Sequence, residues 1–113
     1  MNEGLAERIA DTMFALATPS RVLILGHLRE RPHTVGELIS VTGMAQPAVS
    51  HQLRLLRDNR LVVAERRGRE RVYALYDEHV ASLLDEAERH ANQLTAGRRR
   101  HSNAYPGRQA NIG

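Results

Sequence analysis

The apolar period of this 113-residue chain changes at Leu61, and that change limits what it can fold into. Up to Asn59, apolar residues recur three and four apart, the spacing of a buried helix face. From Leu61 to Tyr76, two β-rich runs flank Gly68 and read as a hairpin. After Asp77 the helical period returns, with Val80, Leu83, Leu84, Ala87, Ala91 and Leu94 on one side.

The helical part is divided by its own punctuation. Leu5, Ile9, Met13 and Leu16 mark a first helix. Thr18-Pro19 supplies an N-cap and a first-turn proline for a second, which carries Val22, Leu23, Leu25 and Leu28 and ends before Pro32. Thr34 and Glu37 fit a capping box, so a third helix begins at Val35 and closes at Gly43. Pro47 suits the first turn of a fourth, which runs to about Asn59. The turn between the third and fourth is about three residues long and contains Gly43, which fits a helix-turn-helix. A hairpin directly after its second helix is the wing of a winged helix. The expected fold is mainly α with a β-hairpin wing. The domain is expected over 1–95, with a disordered basic tail over 96–113 that reads GRRRHSNAYPGRQANIG from Gly97.

Composition narrows the function. No cysteine is present, which excludes disulfides and thiolate metal sites. No apolar run approaches the roughly 20 residues of a bilayer span. The opening MNEGLAERIADTM lacks a basic n-region, so a cytoplasmic protein with no membrane partner is expected. All sixteen basic residues are arginine, the side chain suited to bidentate phosphate and guanine contacts. Genome-wide codon bias toward arginine would give the same count, so position says more than identity. Residues 45–76 hold seven arginines against three acidic residues, a net +4. Residues 77–91 hold five acidic residues and one arginine, a net −4. This segregation suggests one surface for a polyanion and another for something else.

On the fourth helix, a turn of about 100° per residue places Val49, Leu53 and Leu56 inward. Pro47, Ser50, His51, Arg54 and Asp58 fall on the opposite side. Arginine can reach guanine O6 and N7, serine suits base or phosphate, and histidine can donate. Gln46 can read an adenine or cap the helix. A solvated helix face is polar in any case, but a short helix before it and a basic hairpin after it favour DNA. The hairpin tip carries Arg66, Arg67 and Arg69 around Gly68, with Arg71 behind. Such a tip can enter a minor groove or clamp phosphate. Protecting a sheet edge needs only one or two charges.

The segments SRVLILGHLRE and AVSHQLRLLRDNRLVVAERRGRERVYALYDEHV resemble the ArsR/SmtB family of bacterial metal-responsive winged-helix regulators over roughly residues 10–95. The resemblance implies a homodimer through the first and last helices, bound to operator double-stranded DNA of imperfect two-fold symmetry. It places Gln46, Ser50, His51 and Arg54 at base- and backbone-reading positions.

The last helix carries a second candidate site. His79 and His90 are eleven residues apart, within about 20° of one direction, and Gln93 and Glu86 share that stripe. Eleven residues of helix span about 16 Å, so one helix cannot bring both histidines to one ion. Two antiparallel copies can. The family pattern is D-x-H, ten residues, H-x-x-[H/E], and YDEHVASLLDEAERHANQ is similar to its nickel/cobalt-sensing branch. That implies Asp77, His79, His90 and Gln93 as ligands for nickel, cobalt or zinc. The chain departs from the pattern at Gln93, an amide where the family has a stronger donor. The tail offers His101, and Glu86 is a substitute donor one turn from His90. The bland alternative makes His79 and His90 polar interface residues and Asp77 an N-cap.

His27 and His33 lack partners at ligand spacing and read as surface or helix-end residues, and Met13 and Met44 read as packing. No nucleophile, base and orienting acid fall together and no Gly-rich phosphate loop exists, so an enzyme is not expected. The sequence reads as a DNA-binding regulator that responds to metal. Two alternatives are a regulator of the same kind that takes its signal from a partner protein, and a protein-interaction module built on the same scaffold.

Overall fold

The computed structural model describes the backbone of residues 1–100 and the side chains of residues 1–94. Its elements are α1 (Glu3–Ala15), α2 (Pro19–Glu30), β1 (His33–Thr34), α3 (Val35–Thr42), α4 (Gln46–Asp58), β2 (Val62–Arg67), β3 (Glu70–Leu75) and α5 (Glu78–Arg100). They divide into two units, the first Met1–Ala81 and the second beginning at Ser82. The basic tail expected from residue 96 lies, from His101 onward, outside the described residues.

In the first unit the helices start and stop where the sequence punctuates them. Thr18 Oγ1 accepts from the Arg21 N–H at 3.4 Å, one residue before Pro19 opens α2. The Thr34 hydroxyl accepts from the Glu37 N–H at 3.1 Å, and Glu37 Oε1 accepts from the Thr34 N–H at 2.9 Å, a complete capping box. Gly43 ends α3 in the left-handed region at φ 74°, which only glycine adopts freely. The end of α4 also turns through a left-handed residue, but with the paired bonds of a Schellman motif and a less suitable side chain. Arg60 N–H donates to Arg57 O and Leu61 N–H to Leu56 O, with Arg60 at φ 58°. A side chain in that conformation costs on the order of 1 kcal/mol.

The core is made where α2, α3, α4 and the sheet face one another. Ile24, Leu25, Leu38, Val49, Leu53, Leu56 and Val62 are fully buried. Each lies on the apolar side of its own element, and full burial of such a side chain contributes about 1.5–3 kcal/mol. The sheet has three antiparallel strands in the order β1-β3-β2. The hairpin was expected from sequence, but β1 was not. Two residues after a proline give no periodicity, yet Arg31 is extended as a pre-proline residue must be, and His33 and Thr34 then pair with Tyr73 and Val72. The wing is thereby tied to the α2–α3 connection.

This strand corrects the expectation for His33. It is 2% exposed, not a surface residue. Its Nδ1 bonds Arg31 O at 2.7 Å, and its ring meets His27 edge-on at 6.0 Å between centroids. His27 sits in the last turn of α2, as a helix-end residue. Met13 also differs, being 48% exposed within a single chain.

The capping box carries a pH dependence. The hydrogen bond from the Thr34 N–H holds the Glu37 carboxyl below its usual range; burial opposes it, and the charges of Arg31 and His33 add to the lowering. The folded-state value lies below the unfolded one. Its contribution to stability is therefore present above pH about 4.5 and is lost as pH falls through the lower folded value. Glu37→Gln keeps an acceptor for the box but does not titrate. Thermal melts between pH 3 and 7 should show a shallower acid-side fall for Glu37→Gln than for the wild type, and equal slopes would refute the assignment.

Beyond Ala81, α5 carries an ion pair between Glu86 and Arg89 and leaves Ala87, Ala91 and Leu94 exposed. Among the described residues, no single helix is long and apolar enough to cross a membrane.

Candidate nucleic-acid interface

The outer face of α4 is as the helical wheel requires. Val49, Leu53 and Leu56 are buried, while Gln46, Pro47, Ser50, His51, Arg54 and Asp58 are exposed. Gln46 is the first residue of α4, but the N-cap is Ala45, which makes no side-chain bond. The capping role considered for Gln46 is thus not used, and its amide is left on the surface.

The wing continues this surface. Gly68 and Arg69 form a two-residue loop with positive φ at Gly68 (62°) only, the pattern of a type II′ turn. Strand alternation then decides where each arginine points. Val62 and Tyr73 are buried, so the same face of the hairpin carries Arg66 and Arg71, directly opposite each other. Arg67 is paired with Glu70 and lies on the other face. Like charges in directly opposed positions destabilise a hairpin. An anion between Arg66 and Arg71 would relieve that repulsion.

Between α4 and the wing lies an open cavity of 240 Å³ lined by Ser50, Leu53, Arg54, Arg57, Asp58, Arg71 and Tyr73. Leu53 and Tyr73 line it beside three arginines and one aspartate. Ser50 and Arg54 are expected on this surface from sequence, and Arg71 behind the tip, whereas Arg57 carries no such signal there. Arg57 follows Arg54 by three positions, which puts both on one helix face. The surface brings Ser50, Arg54, Arg57 and Arg71 together, with Gln46 and His51 along the same helix and Arg66, Arg67 and Arg69 at the hairpin tip.

The stripe on α5 is different. Asp77 Oδ1 accepts from the N–H groups of His79 (3.0 Å) and Val80 (3.2 Å), so Asp77 caps α5. Its other oxygen lies 3.4 Å from Nδ1 of His79, whose side chain is 96% exposed. His90 and Gln93 are exposed further along the same helix. Glu86 is engaged by Arg89, which weakens its claim as a substitute donor. Among the described residues, no three His, Asp or Glu side chains of one chain converge as ligands. His101 lies outside the described residues.

Comparison with known proteins shows which family this fold belongs to. Residues 18–63 match the family model described as "Bacterial regulatory protein, arsR family". The chain is 55% identical over 92 residues to the HTH-type transcriptional regulator NmtR of Mycobacterium tuberculosis, covering 81% of this chain and 77% of that protein. It is 39% identical over 88 residues to the Transcriptional repressor SmtB homolog of Synechocystis sp., covering 78% and 67%. The solution structure of apo-NmtR matches with a TM-score of 0.73 at 50% identity, over 95% of this chain and 87% of that one. A homodimeric winged helix-turn-helix DNA-binding domain from Mycobacterium bovis matches with a TM-score of 0.75 at 30% identity, over 80% and 83%.

Proposed function

The chain belongs to the ArsR family of bacterial transcriptional regulators, and on that premise we propose that it is a homodimeric cytoplasmic regulator whose affinity for operator DNA answers to nickel, cobalt or zinc. The observation that carries the DNA part is the arginine-rimmed surface running from α4 to the wing, with Arg66 and Arg71 opposed across the hairpin. Arg54, with Gln46, Ser50 and His51, reads base edges or backbone, while Arg66, Arg67 and Arg69 hold phosphate. Its relatives are transcriptional regulators rather than enzymes.

The dimer rests on apolar surface that a single chain leaves open. Leu5, Ile9 and Met13 recur along α1 and are 38%, 36% and 48% exposed, and Leu94 on α5 is 53% exposed. A second copy is the occupant that closes them, through the first and last helices. Sedimentation of the wild type at micromolar concentration should give a dimer and that of Ile9→Glu a monomer. A monomeric wild type would remove both the dimer and a shared metal site.

The metal part rests on the donor set of α5. A carboxylate and an imidazole stand together at Asp77 and His79, with an imidazole and an amide at His90 and Gln93. Carboxylate and imidazole suit zinc and nickel. With α5 of two copies antiparallel, Asp77 and His79 of one copy would meet His90 and Gln93 of the other. A divalent ion held there would cross-link the two helices and favour one spacing of the reading heads. Asp77 holds its carboxylate in place by capping α5, and the exposed His79 ring is free to turn toward an ion. Coupling is then the difference in metal affinity between the free and DNA-bound dimer. Calorimetry with nickel, cobalt and zinc, with and without a duplex selected from randomised DNA, should give unequal affinities in the two states. Equal affinities, or no binding, would turn the reading toward a regulator that takes its signal from a partner protein.

A further inference from the structure

Arg21 and His33 are the buried polar or charged residues among those described, and Arg21 is 9% exposed. The three guanidinium nitrogens of Arg21 go to three oxygens. Nε donates to Ala15 O, Nη2 to Phe14 O at 3.2 Å, and Nη1 to Oε1 of Gln52 at 3.1 Å. Two of these acceptors are carbonyls at the C-terminal end of α1, a helix whose last turn holds no basic residue of its own. A helix C-terminus carries partial negative charge, so a cation there is favourable. The third acceptor is on α4, between His51 and Leu53 and two residues from both Ser50 and Arg54. Gln52 is half-buried, at the boundary between the inward and outward sides of α4.

We propose that Arg21 is a positioning residue, which through Gln52 fixes the rotation of α4 against the end of α1 and so sets how Ser50, His51 and Arg54 meet DNA. The inference rests on the DNA-binding reading above. It explains why an arginine is buried in α2 at all, since one planar fork satisfies two helix-end carbonyls and one amide together. A lysine, with a single point charge, cannot hold that geometry. It also gives α1 a route to the reading helix. If α1 lies against a second copy, a shift of α1 at that interface moves the Phe14 and Ala15 carbonyls, and the fork passes the shift to Gln52.

The test uses two probes: a duplex selected from randomised DNA by the wild-type protein, and a scrambled duplex of the same composition. Gln52→Ala removes one side chain at a half-buried helix position and introduces the best helix former. It should weaken binding to the selected duplex about fivefold or more and leave binding to the scrambled duplex within about twofold, while the thermal midpoint falls by no more than the loss of one hydrogen bond to a buried guanidinium requires. Arg21→Lys should weaken the selected duplex to a similar degree. Gln52→Glu, which keeps the acceptor, should recover most of the loss. The double variant Arg21→Lys/Gln52→Ala should bind no more weakly than the weaker single one, because both break one link. Wild-type affinity in Gln52→Ala overturns the proposal. So do losses that multiply in the double variant, since Gln52 would then touch DNA independently of Arg21. If the wild type itself selects no duplex over the scrambled one, the DNA-binding reading falls and the proposal with it. A wild type that discriminates beside an indifferent Gln52→Ala refutes the proposal alone.

Discussion

Replacing Arg66, Arg67 and Arg69 together by alanine should cut DNA affinity far more than any single change on α4, and should flatten its salt dependence. Each phosphate neutralised by a cation contributes about −0.9 to the slope of log affinity against log salt. A dimer presents two wings, so six phosphate contacts would correspond to a slope change of about 5. The strand register lowers that ceiling. Arg66 lies beside Arg71 on the face shared with the core, whereas Arg67 lies opposite Glu70 on the other face. With arginines on both faces of the wing, the three contribute unequally to the phosphate contacts, and a slope change between about 2 and 5 is expected. Binding to scrambled DNA should weaken almost as much as binding to a selected duplex, because phosphate contacts carry no sequence. Arg54→Ala should behave in the opposite way. It should cost about 1–3 kcal/mol on the selected duplex and relax preference at one base position, with little change in slope. Anisotropy titrations on both duplexes from 50 to 300 mM salt separate the two patterns. If both variants bind like the wild type, α4 and the wing are not the DNA surface.

The features of this surface and its supports are legible in the sequence where they are local, and not where they depend on distant partners. The inward positions of α4 were readable because Val49, Leu53 and Leu56 are apolar at helical spacing and nothing interrupts them. The capping box at Thr34 and the glycine at Gly43 were readable because each is a local device, whose partners lie within a few residues. β1 was not readable. Its two residues owe their conformation to Pro32 and their pairing to β3, some forty positions further on. Burial of His33 follows from that distant pairing and has no local signature. The buried Arg21 was hidden for a related reason. An arginine in an Arg-rich chain reads as surface charge until its three acceptors are seen, and they come from α1 and α4. The exposure of Leu5, Ile9 and Met13 shows the converse. Helical periodicity identified an apolar face on α1 but could not say whether the face is closed by the same chain or by another.

The last-helix stripe turns on Gln93, and the expected result there is a gain of affinity. In a site built from Asp77 and His79 of one copy with His90 and Gln93 of the other, three donors are strong and one is an amide oxygen. A neutral amide is a poor ligand for borderline metals, which prefer imidazole. Gln93→His should raise nickel and zinc affinity by about tenfold or more, roughly 1.4 kcal/mol or above, and should enlarge the effect of metal on DNA binding in step. The backbone need not move, because positions three apart on a helix share a face, so the introduced imidazole starts beside His90. Proton competition is small at pH 7.5, since histidine is largely neutral above about pH 6.5. His90→Ala should abolish both metal binding and its effect on DNA while leaving metal-free DNA binding intact, because His90 is exposed and makes no core contact to lose. Asp77→Asn adds a useful third arm. It keeps an acceptor for the His79 and Val80 N–H groups that Asp77 caps, but removes the carboxylate charge. Loss of metal affinity without loss of thermal stability in Asp77→Asn would therefore separate ligation from capping. If Gln93→His binds no better than the wild type and His90→Ala no worse, the stripe is not a coordination site, and His79 and His90 are polar residues of the dimer seam.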